Sequence, residues 1–205
     1  RDLVRSRGLG DVYKRQFHDE GATGLPALSA YTGMVFRHIA PQDFTAEDWA
    51  YAQSHLFITS FLYGLLRPAD RIRNYRLEGH VRLPEEEDRT LFAYWRARLT
   101  DTFISAIRQQ GGILVNLASA EMKNLFDWTR VTREVRVITP DFYTYKGGRL
   151  STVVVYAKMC RGEMTRFILK NRIENPEDLK TFEWEGYRFN PRESHDDHWI
   201  FTPGT

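Results

Sequence analysis

The stretch that most constrains the fold is Ser151–Ile168, STVVVYAKMCRGEMTRFI. Ser151 to Ala157 is rich in Val and Tyr and lacks helical spacing of polar residues, so it predicts a buried strand. From Lys158 the pattern changes. Met164, Phe167 and Ile168 fall at i, i+3 and i+4, on one face of a helix. Gly162 is read as the permissive residue between the two elements. Lys158, Arg161 and Arg166 cluster at this switch. A strand feeding a helix start presents free N–H groups, and added cations make it a candidate anion site. The same residues read equally as a solvated basic edge, because helix starts favour acids unless an anion is bound.

The chain of 205 residues is long enough for one sizeable packed domain. No apolar run approaches the ~20 residues of a membrane span, so no membrane partner is expected. The lone cysteine, Cys160, excludes an internal disulfide framework and fits a reducing compartment. Its neighbours Lys158 and Arg161 allow a reactive thiol, but a small packing residue is the favoured reading. The net charge of +2 is unevenly spread: residues 1–16 carry five bases and two acids, so the remainder is close to neutral. Residues 1–16 show neither strand nor helix period nor a signal-peptide core. They resemble an adaptor-derived translation and are expected to be a non-native tail, with the true N-terminus missing. Residues 17–205 are expected to form a single domain.

Along that domain, Phe17–Ala30 reads as loop, and Tyr31-Thr32-Gly33 with Met34–Phe36 as a short strand. Thr45 and Asp48 form a capping-box variant, and Phe44 with Trp49 a hydrophobic staple. They open a helix that should run to about Leu62, with Trp49, Ala52, Leu56 and Ser60 on one face. Gly64 and Pro68 end it. Arg67, Arg71, Arg73, Arg76 and Arg82 come next, facing only Asp70 and Glu78, with Tyr75 interleaved. That pattern suits phosphate contacts, and it equally suits a turn paired internally by Arg–Glu contacts. Phe92, Trp95, Leu99, Phe103 and Ala106 mark a long amphipathic helix over residues 89–110, closed by Gly111-Gly112. Ile113–Leu117 is a buried strand, and Ser119 starts a short helix. Asn116, Ser119 and Glu121 thus lie at a second strand-to-helix switch, where open α/β sheets place ligands; for Ser119 a plain N-cap role is the alternative. Lys146-Gly147-Gly148 is a hairpin signal flanked by residues 131–145 and 149–159. Asn175-Pro176 opens another short helix, and Tyr187–Phe189 and Trp199–Thr202 read as strands.

There is no P-loop, dinucleotide fingerprint or nucleophile elbow. His195-Asp196-Asp197-His198 holds four potential ligands, but solvated polar residues are the favoured reading, so neither a metal nor a cofactor is assigned.

Four blocks read together are specific: Tyr63-Gly64-Leu65-Leu66-Arg67-Pro68; Tyr75-Arg76-Leu77-Glu78; Asn116-Leu117-Ala118-Ser119 with Glu121; and Tyr156-Ala157-Lys158 with Arg161-Gly162 and Arg166-Phe167. With Tyr31-Thr32-Gly33 and Glu185-Gly186-Tyr187, they resemble the YaaA family of bacterial peroxide-stress proteins over nearly all of residues 27–190. The resemblance implies a mixed α/β (α+β) single domain, a mixed sheet flanked by helices, with a basic cleft. It also implies a helix–hairpin–helix-like element, which maps onto the helix to Leu62, the Tyr63–Pro68 turn and the residues after that turn. It implies a cytoplasmic protein, made under hydrogen peroxide stress, that limits free intracellular iron and binds DNA. The family's opening apolar strand and Ser-Pro-Ala-Lys stretch are absent, and Gly79-His80 stands where the family tends to be apolar. An unpaired sheet edge or groove is the expected result of the missing strand. On this reading Arg67, Arg71, Arg73, Arg76, Lys158, Arg161 and Arg166 contact DNA phosphates. The competing reading is an enzyme acting on a phosphorylated or nucleotide-like small molecule, with Asn116, Ser119, Glu121 and Lys158 as its polar groups. A non-enzymatic role is favoured.

Overall fold

The computed structural model describes residues 24–204, so the expectation for residues 1–16 lies outside the described residues. The chain begins with β1 (Leu25–Pro26), α1 (Ala27–Ala30), α2 (Met34–Ile39) and α3 (Ala46–His55). Five short strands come next: β2 (Ile58–Ser60), β3 (Gly64–Leu66), β4 (Arg71–Ile72), β5 (Arg82–Leu83) and β6 (Arg89–Thr90). They lead to α4 (Leu91–Gln109), β7 (Ile113–Val115), α5 (Trp128–Glu134), β8 (Arg136–Phe142), β9 (Thr144–Lys146), β10 (Arg149–Ser151) and α6 (Val154–Asn171). The last strands are β11 (Glu183–Trp184), β12 (Tyr187–Phe189) and β13 (His198–Pro203). Short 3-10 turns span Ala120–Leu125 and Pro176–Thr181.

The central sheet has the order β11-β12-β13-β8-β7. Strands β7, β8 and β13 are mutually parallel, whereas β12 is antiparallel to both β11 and β13, so the sheet is mixed. Helices flank it, as expected. Phe142, Cys160, Met164 and Phe201 share a core between the sheet and α6, while Phe103, Ile107, Phe126 and Val131 pack with α4 and α5 on the other side. A third cluster joins α1, α2, α3 and β4 to Leu169 of α6. Helix α6 is therefore common to two of the three cores.

Local signals hold wherever a side chain itself terminates an element. Thr45 and Asp48 form the capping box, at 3.2 and 3.0 Å, and Phe44 stands edge-on to Trp49. Asn175 caps the turn at Pro176, and Gly111 and Gly112 take positive φ after α4.

Several element assignments are corrected. Within the Phe17–Ala30 segment expected to be loop, the described residues include β1 and α1: Leu25 pairs with Ile72, and Ala27 and Leu28 are fully buried. The strand expected at Met34–Phe36 is helix α2, because Val35 and His38 must share one face against α6. Helix α3 stops at His55, since the β-branched Ile58 and Thr59 pair with β3 around Gly64, whose φ is +76°. The segment expected to be a helix–hairpin–helix-like element is thus a helix followed by a β-hairpin, and the next α-helix begins only at Leu91. The buried strand expected at Ser151–Ala157 is also absent. Strand β8 already has β7 and β13 as neighbours, so the returning arm of the Lys146–Arg149 hairpin ends after three pairs. Helix α6 then starts at Val154, and Val154, Val155 and Tyr156 are left 60%, 50% and 46% exposed.

Gly162 accordingly lies inside a helix and not between two elements. A methyl group there would overlap the carbonyl oxygen of Val35 and lie 2.5 Å from Cβ of His38. Glycine permits α2 and α6 to touch backbone to backbone. Gly162→Ala should therefore destabilise the fold by about 1–3 kcal/mol in denaturant unfolding, against the gain that helix propensity alone would give.

The α3 start is tied to the α6 end by charge. Lys170 donates to Asp48 at 2.9 Å and Arg172 at 3.3 Å. The Lys170 hydrogen bond, with those from Thr45, holds the Asp48 carboxyl at about 2 instead of 3.8. A carboxyl depressed in this way stabilises fully above its ordinary value and loses that contribution as pH falls through the depressed one. Stability should decline between pH 3.8 and about 2, and Asp48→Asn should flatten that decline in acid titrations of unfolding.

Candidate functional site

Three tyrosines that open separate sequence blocks meet in one hydrogen-bonded group. The Tyr75 hydroxyl bonds Tyr31 at 2.9 Å and Ser60 at 2.6 Å, and Ser60 accepts the Tyr63 backbone N–H at 3.0 Å. The Tyr63 hydroxyl in turn accepts the Arg73 N–H at 3.0 Å. Burial pushes the Tyr31 phenol well above its ordinary pKa, so it stays a neutral donor and acceptor. The group locks the strand-rich Arg67–Arg76 region to the segment that enters α2.

That segment also lies beside α6. Gly162 faces Val35 and His38, while Arg166 donates to the carbonyls of Ile39 and Ala40 at 3.1 and 2.9 Å. Both chains advance together, so α2 and α6 run parallel. Lys158, one turn before Gly162 on the same stripe, is therefore level with the approach to α2 that contains Tyr31.

The remaining cations have other duties. Arg67 donates to the Ser54 carbonyl at 3.2 Å and lies 3.8 Å over the Phe57 ring, and burial lowers its pKa. Arg71 binds the Gly24 carbonyl, Arg82 pairs with Asp88 at 3.0 Å, and Arg166 closes the end of α2 and pairs with Asp43. Arg161 approaches Asp141 to 3.8 Å. Among the described residues Arg76 and Lys158 are exposed and have no ionic or hydrogen-bonding partner.

The second switch is at β7. Asn116 is buried and its N–H continues the β7–β8 ladder to Ile138 at 2.8 Å. Ser119 and Glu121 are exposed on the following turn, where Ser119 occupies the N-cap position without a side-chain cap bond. Cys160 is fully buried and its thiol is pushed up to about 12 by burial, which fits packing and not nucleophilic chemistry. In the His195–His198 segment, His198 binds Asp141 at 2.9 Å and Asp197 binds Arg136 at 2.7 Å, so the turn is clamped to β8. Among the described residues no three His, Cys, Asp or Glu side chains are grouped to hold a metal ion, and no helix is long and apolar enough to cross a membrane.

Sequence reasoning misses two features, the role of Ser60 and the Asp141–His198 pair. Ser60 belongs to a strand and not to the helix face expected of it. The recurrence of Tyr at the head of three blocks is the available signal for the hydroxyl group.

A family model described as "Peroxide stress protein YaaA" matches residues 8–193. The chain is 59% identical over 201 residues to a UPF0246 protein of Phocaeicola vulgatus, covering 97% of this chain and 79% of the relative. It is 63% identical over 188 residues to one of Bacteroides fragilis, covering 92% and 73%. To one of Bacteroides thetaiotaomicron it is 62% identical over 203 residues, covering 98% and 79%. The chain belongs to the YaaA family of peroxide stress proteins.

Removing the central hydroxyl of the tyrosine group tests its structural weight. Tyr75→Phe should cost about 1–2 kcal/mol of stability by chemical denaturation, because two hydroxyl partners lose one bond each.

Proposed function

We propose that this chain binds DNA in the cytoplasm during peroxide stress and helps to lower free intracellular iron, limiting oxidative damage. The observation that supports the DNA contact is that Arg76, next to Tyr75 of the tyrosine group, and Lys158 are exposed and unpaired among the described residues. Cations already committed to carbonyls and carboxylates add little to phosphate binding, so Arg67 and Arg166 serve mainly to position the surface. With a near-neutral domain and phosphate contacts only, binding is sequence-tolerant, modest in strength and salt-dependent. The iron role and the compartment rest on the family resemblance.

A second reading, an enzyme acting on a phosphorylated or nucleotide-like small molecule at Asn116, Ser119, Glu121 and Lys158, is favoured by one observation. The buried Asn116 amide has no hydrogen-bond partner among the described residues.

Fluorescence anisotropy of a labelled duplex across a salt series tests the DNA reading. The double variant Arg76→Glu, Lys158→Glu should bind at least tenfold more weakly. Its logarithmic salt slope should be shallower by about 2, for two lost phosphate contacts. Equal affinity of variant and parent would overturn the assignment of this surface.

A further inference from the structure

Strand β7 leaves the sheet early. Its last pair is Val115↔Ile138, while β8 continues to Phe142 beside β13. The carboxyl end of β8 therefore has no β7 partner on that side, and the carboxyl ends of parallel strands are where open α/β sheets commonly admit ligands. Asn116 lies at the edge of this gap in the pairing, only 7% exposed. Continuing the parallel register sets it opposite Thr139, so Asp141, two residues on, lies on the same face of the sheet. Asp141 is held by His198 at 2.9 Å. Arg161 reaches the same carboxylate from α6, with a nitrogen 3.8 Å away, beyond hydrogen-bond range.

Three donors here are unspent. Among the described residues neither the Asn116 amide nor the Arg161 guanidinium, its side chain 21% exposed, makes a side-chain hydrogen bond. The Tyr143 phenol makes none either, and burial together with Asp141 raises its pKa, so it keeps its proton. No side-chain nitrogen or oxygen sealed from solvent lacks a partner among the described residues, so the Asn116 amide keeps an opening to solvent. The carboxylate at the gap, Asp141, already has two cationic or hydrogen-bonding neighbours. The site is donor-rich, and it fits an acceptor-rich group.

We infer that the gap beyond β7 is a binding site for the oxyanion of a small molecule, a phosphate or a carboxylate, held by Arg161 and Asn116 with Tyr143 beside them. His198 and Asp141 fix the wall of the site. The inference is independent of the DNA reading. It narrows the small-molecule reading to a site built on β7, β8 and α6, with Ser119 and Glu121 outside it, and it requires no turnover.

Thermal unfolding in inorganic phosphate, in acetate and in chloride at matched ionic strength tests it. Phosphate or acetate at some tenfold above its dissociation constant should raise the midpoint by about 4 °C over chloride. Whichever anion acts identifies the oxyanion. Asn116→Leu and Arg161→Gln should each remove at least half of the shift while retaining a cooperative transition. Arg76→Glu, Lys158→Glu should retain it, which separates this site from the DNA surface. Should one of the first two variants fail to fold, the other decides. No anion-specific shift in the parent, or an undiminished shift in the folded variants, would overturn the inference.

Discussion

Helix α2 lies against α6 only because position 162 carries no side chain. The contact is between a helix backbone and the Val35 carbonyl, with Cβ of His38 beside it, and much else depends on it. It fixes the two helices as parallel and brings the entry to α2 level with Lys158. It also places His38 where its ring nitrogen meets Glu163 at 2.8 Å and its edge meets Trp184. The tyrosine group then carries that position across to the Arg73–Arg76 segment. Close backbone approach is unforgiving because the packed interior offers no compensating movement on either side.

Both candidate sites lie on the margins of this arrangement, and they differ in kind. Around Tyr31 and Tyr75 the polar groups are mutually satisfied and the free charges stand outside them, which suits a surface that meets a large polyanion. At the end of β7 the Asn116 amide and the Arg161 guanidinium make no side-chain hydrogen bond among the described residues and open to solvent, which suits a small ligand. The same α6 contributes to both through residues one turn apart, Lys158 and Arg161, because its successive faces look onto α2 and onto the sheet.

The parts of this fold legible in the sequence are those decided by neighbouring residues. Thr45 with Asp48, Gly111-Gly112, Asn175-Pro176 and the Lys146–Arg149 turn act through bonds spanning a few positions, and each is where the sequence puts it. The failures share a different cause. Met34–Phe36 and Val153–Tyr156 are rich in residues that favour strands, yet they are helical or lead into a helix because β8 already has a neighbour on each side and α2 packs along α6. Their conformation depends on residues more than a hundred positions away, which a local reading does not contain. The candidate site shows the same division. The cationic residue types are visible, but which of them remain free depends on Asp43, Ser54 and Asp141, none of which is marked by spacing.

The strand order carries a consequence for biosynthesis. Strand β13, the last of the described elements, lies between β8 and β12 and hydrogen-bonds both. A chain emerging from the ribosome can form its hairpins, α4 and α6 early, but β8 must wait for residues 198–203 before it gains its second neighbour. Until then Phe142 and the α6 face beside it lack Phe201 and Trp199 as cover. The sheet is thus completed only once β13 has been made, and the nascent chain exposes this apolar surface until that point.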